Sequence, residues 1–447
     1  MKEGSLETPT RHVIDWTNPD FIDAEKLDAE MRRQFDICHG CRRCFNLCDS
    51  FPRLFDLVDA AGADEMHGVA SSDFKRVVDA CTLCDMCYMT KCPYVPPHPF
   101  NVDFPHLMLR YRVAEHAKKG IGFFDEQLIE TDRNGKLASY APEIANWATK
   151  RGNALTRPIM EAVAGVDANA ELPKFNRHTL ARRAKEHPLQ ANASAPAFGR
   201  KAAIYATCFV NYNNPDIGTA ALKVLAHNGV DTEVVYPGCC GMPRLEAGDI
   251  ADVARRARET AAAFKPYIDA GKDIIALVPS CALMLKFEWP LIVPDDPNVK
   301  ALARATYDIS EYIVDIAKKE GIAPGLGAVP GGVALHLACH ARAQNMGPKG
   351  AEMLRLIPET SVSVIERCSG HGGSWGIKKG NFAAATKFGS QTVKRLNESE
   401  KTYLASECPL AGKHLAQGME RLEGAKRSME QSHHPIQILA KAYGFVS

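Results

Sequence analysis

Two cysteine motifs near the N-terminus constrain this chain more than any other feature of its sequence. Each motif places three cysteines three residues apart and adds a fourth after a slightly longer gap. The first motif, CHGCRRCFNLC, contains Cys38, Cys41, Cys44 and Cys48, and the second, CTLCDMCYMTKCP, contains Cys81, Cys84, Cys87 and Cys92. A short loop with this spacing wraps three thiolates around one face of an iron–sulfur cube, and the last iron takes a ligand from elsewhere.

In proteins with two such motifs, the fourth cysteine of each ligates the other cluster. We therefore predict two 4Fe–4S clusters, one held by Cys38, Cys41, Cys44 and Cys92, and the other by Cys81, Cys84, Cys87 and Cys48. Structural zinc sites usually show two separated pairs of cysteines, and disulfide frameworks belong to small secreted chains. Asp49 stands where proline usually follows the fourth cysteine, and the second motif has one extra residue before its last cysteine. Neither departure removes a ligand.

The composition limits the classes of function. The 447 residues suggest roughly three domains. The 54 Lys and Arg nearly balance the 53 Asp and Glu, so nothing indicates a nucleic-acid partner. Fifteen cysteines in metal-like groups indicate a reducing, cytoplasmic compartment. We find no signal peptide and no apolar run of the ~18 residues that a membrane span needs. A role with a membrane quinone would require a membrane-bound partner or peripheral association at the inner face of the membrane.

Helical spacing of apolar residues dominates the first 198 residues. Between the motifs, Phe51, Leu54, Phe55 and Val58 recur at helical intervals, and a short helix is expected near Ala24–Phe35. We therefore predict an all-helical two-cluster ferredoxin domain over residues 1–120. A helical connector is expected over residues 121–198, ending in the linker KEHPLQANASAPAFGR.

From Lys201 onward, predicted strands alternate with predicted helices, and each strand leads to a cysteine. The intervals from Cys208 to Cys339, Cys239 to Cys368 and Cys281 to Cys408 are 131, 129 and 127 residues. This near-constant period indicates an internal duplication. We predict two tandem α/β domains with parallel, Rossmann-like sheets over residues 199–325 and 326–447. The fold class is then α+β multidomain, with thiols at the strand ends where open sheets bind ligands.

The first repeat offers four thiols for a third iron–sulfur cluster or zinc: Cys208, Cys239, Cys240 and Cys281. Gly238 and Gly241 flank the adjacent pair and leave the backbone room to approach a cofactor. Buried, inert cysteines are the alternative.

The second repeat retains three metal-ligand candidates: Cys339, Cys368 and Cys408. Ser369 stands where the paired cysteine would be, and His340 and His371 are candidates for a fourth ligand. His371, the preferred one, could also act as a proton donor. The catalytic candidates are Cys239, Cys240 and His371.

Together, the double motif, the GCCG and CSG repeats and the closing segment HPIQILAKAYG resemble the cysteine-rich-domain iron–sulfur oxidoreductases. That family includes the C subunit of anaerobic glycerol-3-phosphate dehydrogenase, the glycolate oxidase iron–sulfur subunit and heterodisulfide reductase subunits. The resemblance implies a helical ferredoxin followed by two tandem cysteine-rich (CCG) domains. In heterodisulfide reductases the full motif has a further cysteine and holds a cluster that cleaves a disulfide. Met284 and Ala411 stand at those positions here, an attenuation similar to that in the glycerol-3-phosphate dehydrogenase subunit.

The resemblance therefore favours an electron-transfer subunit. A flavin-dependent dehydrogenase or another redox protein would supply single electrons, and a quinone or a disulfide would accept them. No phosphate-binding glycine motif is evident, so we expect no NAD or FAD on this chain. Two alternatives stay open: a heterodisulfide or thiol–disulfide reductase with a cluster at the CCG motif, and a non-enzymatic redox sensor or cluster-carrying scaffold.

Overall fold

The computed structural model describes residues 4–5, 7–424 and 432–445. The predicted first and last domains therefore include a few residues at their outer ends, and residues 425–431, that lie outside the described part. The N-terminal elements are α1 (Ala24–Cys41), α2 (Ser50–Ala60), α3 (Glu65–Gly68), α4 (Phe74–Val78), α5 (Met86–Thr90) and α6 (Phe104–Lys119), with 3₁₀ turns at Pro19–Phe21, Gly62–Asp64 and Ser71–Asp73. No strand occurs before residue 120 in the described part, as the apolar spacing predicted.

Helix α1 is longer than the sequence predicted, and this places two cysteines on its last turn. Asp23 caps the helix by accepting the Lys26 N–H, and Leu27, Met31 and Phe35 form its buried stripe. The helix runs on to Cys41 and stops because Arg42 adopts the left-handed conformation, with φ of 50°. The apolar periodicity of α1 ends at Phe35, its last buried residue. It therefore did not predict the continuation of the helix to Cys41.

The connector contains the helices that were expected between the N-terminal part and the first sheet. They are α7 (Phe123–Ile129), α8 (Thr131–Tyr140), α9 (Pro142–Thr149), α10 (Thr156–Ala164) and α11 (Leu180–Glu186). Helix α10 packs against α7 and α9, and α8 packs against the first helix after the first strand. The connector therefore packs on the first repeat through α8 and also reaches the second repeat, where Val166 forms an isolated β-bridge with Lys378.

The first repeat contains one parallel sheet flanked by helices. Its strands are β1 (Lys201–Tyr205), β2 (Asp231–Val235), β3 (Asp273–Ala276) and β4 (Thr306–Asp308), in the order β2-β1-β3-β4. Its helices are α12 (Cys208–Tyr212), α13 (Pro215–His227), α14 (Met242–Glu246), α15 (Ile250–Asp269), α16 (Pro279–Leu283), α17 (Trp289–Ile292), α18 (Pro297–Ala305) and α19 (Ile309–Lys319), with a π-helical turn at Met284–Glu288.

The second repeat has the same topology. Its strands are β5 (Val333–His336), β6 (Val362–Ile365), β7 (Tyr403–Ser406) and β8 (Ser432–His433), in the order β6-β5-β7-β8. Its helices are α20 (Cys339–Ala343), α21 (Lys349–Leu354), α22 (Phe382–Glu398), α23 (Pro409–Glu420) and α24 (Pro435–Ala442), with a 3₁₀ turn at Trp375–Ile377. The short fourth strands, β4 and β8, were not predicted because two or three residues carry no periodic signal. Each leads into a helix with a capping box, formed by Asp308 or His434.

The two repeats interlock through their last helices. Helix α24 of the second repeat packs against α13 of the first, and α19 of the first packs against α21 of the second. Tyr443 donates a hydrogen bond to the Ala323 carbonyl at 2.9 Å, and its ring lies 4.5 Å from that of His227. This exchange brings the thiol-bearing ends of the two sheets to face each other. None of the helices in the described part is long and apolar enough to cross a membrane.

Candidate redox centre

The structure brings together the four cysteines assigned to each predicted 4Fe–4S cluster. Burial and the nearby thiols of Cys92, Cys44 and Cys41 raise the pKa of Cys38. The second set, Cys48, Cys81, Cys84 and Cys87, is grouped in the same way: burial first, then Cys84 and Cys81, raises the pKa of both Cys48 and Cys87. Each set thus contains the fourth cysteine of the opposite motif. Ligation of a cluster by either set stays a prediction.

The backbone around the second set suits thiolate ligands. Leu83 and Asp85 flank Cys84 in the left-handed region, with φ of 47° and 62°. In this loop conformation the Leu83 N–H group points at the sulfur of Cys81, and the Met86 N–H group points at the sulfur of Cys84. Donors aimed at cluster sulfurs stabilise their negative charge and tune the reduction potential. The donor set therefore fits an iron–sulfur cluster.

The two sets differ in their exposure. Cys81 and Cys87 of the second set are buried, whereas Cys41 and Cys44 of the first set are partly exposed. Exposed Arg43 and Lys91 lie close enough to Cys44 for their charge to oppose the rise in its pKa, which burial brings to about 12. The first set thus lies beside a basic surface, and the second lies in the interior.

Strand register explains why the cysteines of each repeat converge. Tyr205, the last residue of β1, pairs with Val235 of β2 and Ala276 of β3, so the three strands end at one edge. In the second repeat, His336 pairs in the same way with Ile365 and Ser406. The following loops and helix starts carry the cysteines of each repeat at these edges: Cys208, Cys239, Cys240 and Cys281, and then Cys339, Cys368 and Cys408.

A cavity of about 1080 Å³ lies between the two sheet edges and the N-terminal part. All seven of these cysteines line it, together with Cys48 and Cys84 of the second set. Burial and then the neighbouring Cys368 raise the pKa of Cys84 to about 12, and Cys84 has a similar influence on Cys339. The thiols of the second set and of the second repeat are therefore neighbours across the cavity wall.

Comparisons with known proteins identify the two repeats. A family model described as "Cysteine-rich domain" (CCG) matches residues 202–286 and 333–415, which are the two sheet units just described. The chain carries two CCG cysteine-rich domains.

Three relatives illustrate the match, and the alignments of the first two are longer than the whole span of these domains. The chain is 25% identical over 323 residues to the C subunit of the anaerobic glycerol-3-phosphate dehydrogenase of Escherichia coli, which is 70% of this chain and 76% of that protein. It is 24% identical over 381 residues to the B subunit of the fumarate reductase (CoM/CoB) of Methanothermobacter marburgensis, 81% of this chain and 72% of that protein. Lactate utilization protein A of Bacillus pumilus is 27% identical over 189 residues, 40% of this chain and 75% of that protein. These relationships support a role in electron transfer.

In the first cysteine-rich domain the thiols are in mutual contact. Cys240 and Cys281 approach to 3.4 Å between sulfurs, and Cys239 interacts with both Cys208 and Cys240. Hydrogen bonds from Cys208 and Cys240 lower the pKa of Cys239. The hydrogen bond between Cys208 and Cys239 raises the pKa of Cys208. Gly238 and Gly241 have φ of 151° and 82°, so the tight GCCG turn needs glycine at both positions.

Asp132 of the connector places a carboxylate at this domain, and the sequence analysis did not identify it. Asp132 on α8 accepts a hydrogen bond from the Cys239 N–H at 3.0 Å and forms an ion pair with Arg256 at 3.1 Å. Tyr236 also donates to Asp132, and burial raises the pKa of this carboxyl. Asp132 thus fixes the backbone of the CCG turn. A lone aspartate in a polar helix carries no spacing signal, so nothing in the sequence marked it.

In the second cysteine-rich domain, the two candidate histidines differ in their surroundings. His340 Nε2 lies 3.3 Å from the Leu83 carbonyl and so contacts the loop of the second set. His371 lines the cavity, and its buried Nε2 has no hydrogen-bond partner among the described residues. Burial and His414 lower the pKa of His371 to about 3, so the ring is neutral near pH 7. A neutral imidazole is the form that ligates a metal or bonds a polar ligand.

Within the described residues, no three Cys, His, Asp or Glu side chains are placed closely enough to hold one metal ion. The choice between a cluster and zinc in the cysteine-rich domains therefore stays a prediction.

Buried histidines should make the second cysteine-rich domain sensitive to acid. Burial lowers the pKa of His336 to about 4 and that of His434 to about 3. An unfolded histidine has a pKa of about 6.5, so the unfolded chain binds protons first and stability falls as pH drops from about 6.5 towards 4. The loss for His336 alone is on the order of 3 kcal/mol, at about 1.4 kcal/mol per pKa unit.

Hydrogen exchange between pH 7 and pH 4.5, corrected for intrinsic rates, measures this effect. Burial also raises the pKa of Glu407 to about 8, so this carboxyl stabilises the same domain as pH falls and opposes the histidines. The histidine effect is therefore measured as a difference between variants: β5 and β7 of the parent should lose more protection than those of His336→Gln. His227→Gln, which removes the one histidine of the first cysteine-rich domain, should behave like the parent. Equal loss of protection in the parent and in His336→Gln would contradict the prediction.

Proposed function

We propose that this chain is the electron-transfer subunit of an oxidoreductase complex. The first and second cysteine sets would each hold a 4Fe–4S cluster, and such clusters supply single-electron transfer. A flavin-dependent dehydrogenase would deliver electrons at the first set, and the final acceptor would bind in the cavity. The relatives that are subunits of a dehydrogenase and a reductase support this proposal.

One observation carries the proposal. Cys48 and Cys84 of the second set line the same cavity as all seven cysteines of the two cysteine-rich domains. A structural thiol cluster would have no need to border a space this large. An electron that arrives at the second set is instead next to the thiols that an acceptor in the cavity would contact.

The cavity favours a quinone as the acceptor. Its volume of about 1080 Å³ lies just above the usual range for small-molecule sites, which is about 300–1,000 Å³. Apolar side chains such as Phe209, Leu172 and Leu410 form much of its wall, and His371 presents an unpaired ring nitrogen. This combination suits a flat apolar ring system with a carbonyl oxygen. Reduction of a quinone to a quinol consumes two electrons and two protons, and His371 could hydrogen-bond the oxygen that is protonated.

The basic surface at the first set should control how electrons arrive. We expect Arg43→Glu with Lys91→Glu to slow reduction by anionic reduced flavin mononucleotide by about tenfold at low salt. Reduction by reduced riboflavin should change much less, since it lacks the phosphate and carries less negative charge. Anaerobic stopped-flow absorbance measures both rates, with Lys300→Glu at an exposed position of α18 as the control. If the double variant slows reduction by both flavins equally, or by neither, electrons do not enter at this surface.

A thiol–disulfide reductase is the second candidate. The thiols of Cys208, Cys239 and Cys240 are in contact at the cavity, and this observation favours it. The reaction would convert one disulfide to two thiols with two electrons from the cysteine sets and two protons from solvent.

A reoxidation experiment separates the two functions. Chemically reduced protein is mixed anaerobically with a short-chain naphthoquinone or with a small aliphatic disulfide, and cluster absorbance is followed. The proposed function predicts rapid reoxidation by the naphthoquinone and little by the disulfide. The second candidate predicts the reverse, with loss of disulfide turnover in Cys239→Ser while iron in the two N-terminal sets is retained. Failure of both acceptors would overturn the assignment of the cavity.

A further inference from the structure

Exposed apolar side chains are concentrated on the connector. Fifteen large hydrophobic side chains of the described residues are exposed, and nine of them lie between residues 123 and 163. The nine are Phe123, Phe124, Leu137, Tyr140, Ile144, Trp147, Leu155, Ile159 and Val163. Soluble monomers rarely gather so many, and contiguous apolar patches usually mark an interaction site.

The nine side chains lie on neighbouring helices. Eight of them come from α7, α8, α9 and α10, and Leu155 immediately precedes α10. Helix α10 packs against both α7 and α9, and α8 packs against α9. Leu155, Ile159 and Val163 recur every four residues and so share one face. We call these nine residues the connector patch. The sequence did not reveal it, because amphipathic helices show the same periodicity whether their apolar stripe is buried or exposed.

The charges around the connector patch are unbalanced. Every acidic residue from 121 to 165 pairs with a base elsewhere: Asp125 with Lys378, Glu126 and Glu130 with Arg244, Asp132 with Arg256, Glu143 with Arg177, and Glu161 with Lys379. By contrast, Arg133, Lys136 and Lys150 are exposed and form no ion pair among the described residues. The surface therefore offers apolar side chains and uncompensated positive charge together.

We propose that the connector patch docks on an anionic lipid surface. Short amphipathic helices with aromatic and aliphatic side chains on one face and bases beside them bind the headgroup region of such membranes. Each lysine or arginine near the surface adds to the attraction. The aromatic side chains suit a protein interface as well as a membrane, but unpaired Lys136 and Lys150 favour lipid, because lysine is depleted at protein interfaces whereas it flanks helices that bind lipid.

The same helices connect this surface to the cavity. Leu128, Ile129 and Thr131, at the junction of α7 and α8, line the cavity, whereas Phe123, Phe124 and Leu137 on those two helices are exposed. If the proposed function holds, a lipid-soluble acceptor would move a short distance from the bilayer to the thiols. The docking itself does not depend on that function, and its test requires no electron transfer.

Vesicle flotation with the full chain tests the proposal. We expect binding to vesicles of phosphatidylcholine with phosphatidylglycerol, and at least about tenfold weaker binding to phosphatidylcholine alone. Ile144→Ser with Trp147→Ser should weaken binding to the mixed vesicles about tenfold or more. Leu189→Ser with Phe198→Ser removes two exposed apolar side chains outside the patch and should leave binding unchanged. Replacing Arg133, Lys136 and Lys150 by glutamine should remove the preference for phosphatidylglycerol.

A fluorescence measurement gives an independent readout. Trp147 is exposed, whereas Trp289 is fully buried. Brominated lipids in the mixed vesicles should quench emission of the parent chain and quench that of Trp147→Phe much less. Three results would overturn the proposal: no vesicle binding, equal binding by the Ile144/Trp147 variant, or self-association through the patch that persists in the presence of vesicles. The last would assign the patch to a second copy of this chain.

Discussion

Replacing Cys84 by alanine should stop electron transfer to the cavity while leaving the first cysteine set intact. Cys84 belongs to the second set, lines the cavity and neighbours Cys368. Without its thiolate the second set retains three ligands, and its cluster should be lost or incomplete. We expect the iron content to fall by about half, since each set would hold four irons. Reoxidation of the reduced protein by naphthoquinone should slow by at least about 100-fold, which is an increase of about 2.7 kcal/mol in activation free energy.

Cys38→Ala is the reciprocal control. Cys38 belongs to the first set, all four members of which are partly exposed. This variant should also lose about half of its iron. It should be reduced slowly by reduced flavin mononucleotide, but a chemically reduced sample should pass its electrons to naphthoquinone at the parent rate. If Cys84→Ala keeps the parent reoxidation rate, or if both variants lose it equally, the order of the two sets along the electron path is wrong.

Replacing Arg11 by methionine should destabilise the junction between the N-terminal part and the first cysteine-rich domain. Arg11 forms ion pairs with Asp85 at 2.8 Å, Asp103 at 2.9 Å and Glu288 at 3.1 Å, and all four side chains are largely buried. His106 lies 3.1 Å from Glu288 in the same group. Methionine keeps much of the volume but leaves carboxylates without their counter-ion. Removal of one partner from a buried ion pair typically costs about 3–5 kcal/mol.

The pH dependence of this loss follows from Asp103. Burial alone would raise the pKa of Asp103, but Arg11 and His106 lower it to about 2. A carboxyl with a lowered pKa stabilises the fold above its unfolded value of about 3.9, and that stabilisation is lost as pH falls through about 2. The Arg11→Met penalty should therefore be full near pH 7 and shrink in acid, where the carboxyls are protonated.

Guanidinium unfolding of the two proteins measures the difference in the free energy of unfolding. Arg255→Met is the matched control, because Arg255 pairs with Asp252 and Glu259 on the exposed face of α15. Such surface pairs contribute only about 0–1 kcal/mol. A loss below about 1 kcal/mol for Arg11→Met would show that the junction does not depend on this group.

The sequence predicted those parts of the molecule that repeat or that carry a fixed spacing. Strands β1 to β3 and β5 to β7 were found because each precedes a cysteine, and the near-constant interval between these cysteines predicted the duplication that the two sheets and the family matches confirm. The short strands β4 and β8 and the helix-capping residues have no repeated spacing, so they were not predicted.

Contacts between segments that are distant in the sequence were not predicted. Cys84 neighbours Cys368 although they lie 284 positions apart, and His340 Nε2 lies 3.3 Å from the Leu83 carbonyl at the same junction. Asp132 reaches the Cys239 N–H from a helix with no motif. Such contacts depend on how the N-terminal part, the connector and the two cysteine-rich domains pack together. Local periodicity in the sequence does not predict packing between domains.

Iron and acid-labile sulfide analysis of anaerobically purified protein, followed by an EPR redox titration, tests the central claim most directly. We predict about eight iron and about eight sulfide per chain from the two N-terminal cysteine sets, and more if the cysteine-rich domains hold a further cluster. The titration should show two interacting cubane signals, one of which disappears in Cys84→Ala. A colourless protein with fewer than about four iron atoms per chain would contradict the account.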